Sequence, residues 1–393
     1  MPVTPQTRDY MHIAWLGKKS PFCGNVTYGR EVTNALLERG YRVTFLHFAQ
    51  PDESDLADNH PDCSEVPLPF LFKSQILTIP SLKSGKLLAE ALQRLQPDLV
   101  HASLTLSPLD FRLPEICHEL NLPLVATFHP AFDRRVRSIT SGTQHLTYQL
   151  YAPCLAHYDR VIVFSNLQRD LLTKLGVPVQ TLAVVPNGVD TQRYCPGPST
   201  APVDLQAQRL FVYQGRLSPE KNVEALLRGW RQADMGPHSK LAIVGSGPLE
   251  ASLKLFYGDD PSILWLGYLG EDYRRIDLLR GADGFILPSL VEGLSLSLLE
   301  AMACGTACIA TDAGADGEVL AEGAGIVLDT QRVSSQLQTI LPIFRDHPEI
   351  TQLLGQKARD RVLQRYTLTA NISELETIYH QVKAAPAGLV GYL

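Results

Sequence analysis

The sequence predicts an α/β protein of two Rossmann-like domains, and three observations carry that expectation. Its 393 residues exceed what one hydrophobic core supports. Short apolar runs alternate with amphipathic stretches, HIAWLG then YGREVTNALLERG then YRVTFLHF, and later PDLVHAS, LPLVATFH and YDRVIVFS. Parallel strands buried on both faces and joined by crossover helices read this way. After PNGVDTQRYCPGPSTAPVDLQAQ, rich in Pro and turn formers, the rhythm restarts with RLFVYQG, KLAIVGSG, SILWLGYL, ADGFILPS and TACIATDAG. One domain is therefore expected over 11–200 and a second over 201–370, with a strandless helical tail. Met1 to Tyr10 is polar and is expected to fray ahead of the first strand.

Composition narrows the function classes. At 45% hydrophobic residues the chain has the apolar surface to fold, so long disorder is not expected. The net charge of −6 falls entirely after residue 200, the first 200 residues being balanced. Tight nonspecific nucleic-acid binding needs a basic surface, and nucleic acid is excluded as a partner. Within the first domain acids cluster at Asp52 to Glu65 and bases at Lys73, Lys83, Lys86 and Arg134, Arg135 and Arg137, which leaves room for a local basic face.

The seven cysteines contain no Cys-x-x-Cys and read as reduced thiols. Cys304 and Cys308 lack further zinc ligands nearby, so no metal site is expected. No apolar run reaches the roughly 18 residues that span a bilayer, and no secretion signal opens the chain. The expected location is cytoplasmic, with any membrane contact at the surface.

Two stretches place charge where a parallel sheet binds ligands. In YQGRLSPEKNVEALL a strand ends at Gly215, the turn carries Arg216, and Lys221 stands at a helix start. Such a fork and point charge hold a diphosphate, although alone the pair reads more readily as solvated. In VEGLSLSLLEAMACG the loop Glu292–Gly293 leads into a helix beginning near Leu294 or Ser295. The amides of Gly293, Leu294, Ser295 and Leu296 then form an anion site. Glu300 lies about one and a half turns into that helix, where a carboxylate can take both hydroxyls of a ribose.

The stretch EGLSLSLLEAMACGTACIATDAGADGEVL resembles the glycosyltransferase family 4 signature, Glu-x7-Glu followed by Ala-Met-Ala-x-Gly, and VVPNGVD, GRLSPEKN and AIVGSGPL occur in family order. The resemblance implies the GT-B architecture, two Rossmann-like domains facing across a deep cleft, with a helix over 371–393 crossing back to the first domain. It implies a nucleotide-sugar donor, retention of anomeric configuration and no cofactor or obligatory metal. By position, Glu300 would hold the donor ribose and Glu292 the sugar hydroxyls, while Arg216 and Lys221 would neutralise the leaving diphosphate. Gly24 and Asn25 stand where the family has a glycine loop, often Gly-Gly rather than Gly-Asn. His129, ending LVATFH, stands where the family has a histidine beside the donor sugar; without the resemblance it reads as a structural residue. Asp133 and Ser165 either line the cleft or cap helices. DAGADGEVL keeps Glu318 but has Ala315 where the family often has a second glycine.

Acceptor choice belongs to first-domain loops. PLPFLFKSQILTIPSLKSGK joins Phe70, Phe72 and neighbouring aliphatics to Lys73, and reads either as an interfacial patch or as a core strand with its loop. Arg134, Arg135 and Arg137 form either a basic rim at an acceptor mouth or a solvated cluster. Together they favour a glycolipid acceptor at an anionic membrane surface. GKKSPFCGNVTYGREV, HASLTLSPLDFRLPEI and FHPAFDRRVRSITSGTQHL are similar to the digalactosyldiacylglycerol synthases of photosynthetic membranes. That similarity implies UDP-galactose as donor and monogalactosyldiacylglycerol as acceptor.

Overall fold

The computed structural model describes residues 11–20, 23–49, 60–74, 77–104, 106–132 and 139–384. The chain divides into two units, one of Met1–Pro130, Thr147–Val185 and Ile372–Leu393, the other of Ala131–Leu146 and Pro186–Asn371. The division falls at 185/186 rather than at 200. The segment around Phe132 goes with the second unit because its N–H donates to the Glu292 carbonyl at 3.1 Å, an antiparallel bridge.

In the first unit the strands are β1 (His12–Gly17), β2 (Arg42–Phe48), β3 (Ser64–Leu68), β4 (Phe70–Lys73), β5 (Thr78–Pro80), β6 (Leu99–Leu104), β7 (Leu124–Phe128), β8 (Arg160–Val163) and β9 (Leu182–Val184). Seven of them form a parallel sheet in the order β3-β2-β1-β6-β7-β8-β9. β1, β6 and β7 are buried along their whole length, as strands covered by helices on both faces must be. β4 and β5 stand apart as an antiparallel hairpin, Phe72 opposite Ile79 and Lys73 opposite Thr78.

The last helix, Leu368–Ala384, enters the first unit from Ile372. Its Tyr379 hydroxyl lies 2.6 Å from His101 Nδ1, whose Nε2 is 2.8 Å from Thr127 Oγ1, and the imidazole stacks on Trp15 with centroids 4.0 Å apart. At the rim Arg39 pairs with Glu376 and Lys383 with Asp98.

The second unit holds β10 (Arg209–Gln214), β11 (Ser239–Val244), β12 (Ile263–Gly267), β13 (Gly284–Leu287), β14 (Cys308–Thr311) and β15 (Ile326–Leu328). All pair in parallel in the order β12-β11-β10-β13-β14-β15. The strand order reverses between β10 and β13, which puts the loops leaving their carboxyl ends side by side. Open α/β sheets bind ligands at such a reversal.

Candidate functional site

The two loops at the reversal, with the helix that follows the second, carry the four charged residues singled out in the second domain. The loop after β10 is held by its backbone: Leu217 N–H donates to Ser246 O at 2.9 Å, and Gly245, at φ +130°, lets its own chain lie against the Gly215 carbonyl. Any side chain at Gly245 would collide with that carbonyl. Asn222 Nδ2 donates to Pro288 O at 3.2 Å and Leu290 N–H to Glu220 O at 2.8 Å, which ties this loop to the one after β13.

Lys221 and Glu292 are thereby brought into an ion pair on Glu292 Oε1, an oxygen that also accepts from Ser289 Oγ at 2.8 Å. Burial opposes the Lys221 charge, but the neighbouring acids, Glu292 foremost, together raise the ammonium's pKa. Both bonds fall on Oε1, so Oε2 has no protein partner among the described residues. The two residues, expected to act on different parts of a donor, are coupled. Arg216 is half-buried, and its guanidinium has no protein partner among the described residues.

The helix after Glu292 runs Leu296–Ala303 with Ser295 as its N-cap, a residue or two later than the sequence suggests. Ser295 Oγ accepts from Leu298 N–H at 3.3 Å. The amides of Leu296 and Ser297 have no acceptor among the described residues, and no acid occupies the first turn. Glu300 is buried inside the helix, with its Oε2 accepting from Gln214 Nε2 at 2.8 Å. Arg216, Lys221, Glu292, Gly293, Leu294, Ser295, Leu296 and Glu300 thus belong to one unit, on two tied loops and the helix that follows. Cations and open amides in that arrangement suit a phosphate group, and Glu300 suits a diol.

In the first unit Gly24 opens the helix Gly24–Glu38, capped at Cys23 with no side-chain bond and with no acid in its first turn. A Cβ at Gly24 would meet open space, and Asn25 is half-buried. His129 follows β7, with its Nε2 2.8 Å from Ser103 Oγ and its ring edge-on to Tyr28 at 4.9 Å. Burial, then the nearby Lys18 charge, lower its pKa to about 3, so it is a neutral imidazole at ordinary pH. Ser165 caps the helix Asn166–Lys174, accepting from Gln168 N–H at 3.2 Å.

The hairpin resolves one alternative. β4 is no core strand: Leu71 is 71% and Phe72 52% exposed. Lys73 turns inward instead, donating to Ser20 Oγ at 2.8 Å and Phe48 O at 3.0 Å, with its ammonium 4.7 Å above the Phe70 ring. Lys73 is thus corrected as a headgroup contact, because its charge is already used to fasten the hairpin. Asp133, Arg134, Arg135, Arg137 and the N-terminal residues 1–10 lie outside the described residues. Among the described residues no group of three or more His, Cys, Asp or Glu is placed to hold a metal ion, and no helix is long and apolar enough to cross a membrane.

Sequence reasoning missed Gln214, Ser289 and Asp316. A polar side chain at the end of an otherwise apolar strand is a signal for Gln214. Asp316, in a turn rich in Gly, Ala and acids, offers none.

Residues 203–361 match the family described as Glycosyl transferases group 1, and residues 24–193 match Glycosyltransferase Family 4. The chain is 26% identical over 237 residues to the UDP-Gal:alpha-D-GlcNAc-diphosphoundecaprenol alpha-1,3-galactosyltransferase of Escherichia coli, a match spanning 56% of this chain and 59% of that enzyme. It is 23% identical over 384 residues to the N-acetyl-alpha-D-glucosaminyl L-malate synthase of Bacillus anthracis, spanning 91% of this chain and 94% of the other. Among solved structures, sucrose-phosphate synthase from Thermosynechococcus elongatus matches with a TM-score of 0.77 at 22% identity, over 96% of this chain and 100% of that one. The shared fold is GT-B.

Proposed function

We propose, from the match of residues 24–193 to Glycosyltransferase Family 4 and of residues 203–361 to Glycosyl transferases group 1, that the chain moves a hexose from a nucleotide sugar to a membrane glycolipid with retention. The observation that carries this reading is the Lys221–Glu292 ion pair between two tied loops, one carrying Arg216 and the other leading into the Leu296 helix with its open amides. Those groups stabilise the negative charge that develops on a departing diphosphate, and Glu300 holds the ribose. Glu292 Oε2 is the atom that remains for a sugar hydroxyl. No enzyme carboxylate is assigned as nucleophile. The bond from the anomeric carbon to the diphosphate breaks while the bond to the acceptor oxygen forms on the same face, and the acceptor's proton passes to the leaving phosphate. Catalysis then rests on positioning and on charge stabilisation.

UDP-galactose as donor and monogalactosyldiacylglycerol as acceptor are supported by the likeness of the first-domain wording to digalactosyldiacylglycerol synthases. The galactosyl donor and lipid-linked acceptor named for the Escherichia coli relative also support them. The exposed β4–β5 hairpin supports contact with a membrane surface, its apolar side chains entering lipid. A second reading, transfer to a small soluble acceptor, is favoured by the Bacillus anthracis relative, which matches nearly the full chain and is named for malate.

The test is incubation with UDP- and GDP-sugars against galactolipid vesicles and soluble acceptors, with product linkage read by NMR and repeated in excess EDTA. An α-linked galactolipid formed from UDP-galactose is expected, with turnover unchanged by the chelator. Absence of transfer from every nucleotide sugar would refute the reading.

A further inference from the structure

Behind the phosphate-facing groups lies a carboxyl that none of the roles above uses. Asp316 begins a single helical turn, Asp316–Val319, after β14, and its side chain has no solvent exposure. Its Oδ1 accepts from Ser295 N–H at 3.1 Å, the backbone of the residue that caps the Leu296 helix. Its Oδ2 is buried with no hydrogen-bond partner among the described residues. The turn that carries it is clamped to the loop that carries Glu292. Gly314, at φ +55°, lets the chain pack on the Glu292 carbonyl, where a Cβ would collide, and Ala315 N–H donates to Gly293 O at 2.8 Å.

The charged groups that face this carboxyl are Glu292 and Lys221, with Glu220 beyond Lys221 and Asp312 beside the neighbouring Gly317. An ionised Asp316 would leave a charged oxygen buried without a donor, which is among the costliest arrangements a protein interior can hold. It would also set a second carboxylate beside Glu292 and compete with it for Lys221. Finally, it would put a negative charge against the helix end where an incoming phosphate gains from positive potential. Protonated, the same group keeps Oδ1 as acceptor for Ser295 and has an O–H to give.

We propose that Asp316 is a positioning residue of the phosphate site, a carboxylic acid held neutral so that the helix end, Lys221 and Arg216 meet a nucleotide diphosphate with no unpaired buried negative charge behind them. The inference rests on the phosphate role given to this site above. Burial, and then the Glu292 charge, hold the Asp316 proton well above the ordinary aspartate range, while the Ser295 amide and Lys221 pull the other way. The protonated form binds the anion, so affinity for the diphosphate is full below that raised pKa and falls as pH rises through it. Binding near that pKa takes up a proton.

Titration calorimetry with UDP alone, from about pH 7 to about pH 10, tests this in the wild-type protein and in Asp316→Asn, which keeps the acceptor for Ser295 but cannot ionise. Wild-type affinity is expected to fall by up to about tenfold per pH unit above the Asp316 pKa, with proton uptake when buffers of different ionisation enthalpy are compared. Asp316→Asn is expected to remove that slope and that uptake, while other titrating groups affect both proteins alike. Equal slopes in the two proteins would overturn the proposal and leave the functional reading standing. UDP failing to bind the wild-type protein at every pH would sink the functional reading and this proposal with it. Should Asp316→Asn fail to fold, difference infrared spectroscopy of the wild-type protein decides. A protonated-carboxyl band at neutral pH that is lost on alkalinisation together with UDP affinity upholds the proposal, and its absence overturns it.

Discussion

Gln214 Nε2 donates to Glu300 Oε2 at 2.8 Å, so the last side chain of β10 orients the carboxylate of the Leu296–Ala303 helix. A hydrogen bond to a charged group contributes about 1.5 to 3 kcal/mol, and its loss frees Glu300 to rotate. Gln214→Leu is expected to raise KM for the nucleotide sugar about tenfold or more with a smaller change in kcat. The same variant should discriminate less between ribose and 2′-deoxyribose donors. Steady-state kinetics with both donors check this; an unchanged ratio would detach Gln214 from ribose binding.

The Lys221–Glu292 ion pair makes Lys221→Ala a double injury. Loss of one cation at the diphosphate should lower kcat on the order of 10²- to 10³-fold. It also leaves Glu292, nearly buried, without its counter-charge, at a cost of about 3 kcal/mol for a pair of this burial. The variant should therefore melt lower than wild type, and Lys221→Ala combined with Glu292→Gln should recover most of the stability and none of the activity. Calorimetric melts alongside turnover measurements separate the two effects.

Two imidazoles make the first unit acid-sensitive. His101 and His129 each have their pKa pushed down to about 3, first by burial. In the unfolded chain each takes a proton near pH 6.5, so between about pH 6.5 and about pH 3 the unfolded state binds more protons than the folded one. Stability is full above that window and falls as pH drops through it, by up to about 1.4 kcal/mol per pH unit for each histidine. Denaturant unfolding at stepped pH should show this slope, and His101→Asn should roughly halve it.

Leu71 and Phe72 project from a hairpin whose lysine faces inward, so membrane affinity through this element should be more apolar than ionic. Burying a leucine or phenylalanine side chain contributes about 1.5 to 3 kcal/mol each. Leu71→Ser with Phe72→Ser should weaken sedimentation with galactolipid vesicles by at least about tenfold, while transfer to a detergent-dispersed acceptor is kept. Vesicle binding that stays unchanged would remove the hairpin from the membrane reading.

How much could be read without the fold follows from which interactions are local. Strand and helix alternation depends on period and on punctuation by Gly and Pro, and both parallel sheets were legible from it except for the short edge strands β3, β9 and β15. The Glu-x7-Glu spacing was legible because eight residues lie on one loop and the first turns of one helix, so separation along the chain sets separation in space. Even the cap at Ser295 differs from the reading by only a residue or two.

Chain order alone determined the two α/β units and the candidate charges at strand ends and helix starts. Pairing was decided by the tertiary structure. Lys221 meets Glu292 across 71 residues, and Gln214 meets Glu300 across 86, because β10 and β13 are neighbours in a sheet whose strand order reverses there. Lys73 turns inward, and Asp316 is buried behind the site, for the same kind of reason. A side chain's type fixes what it can bind, but burial and partners arrive from distant segments, and those alone set whether it is charged, neutral or already engaged.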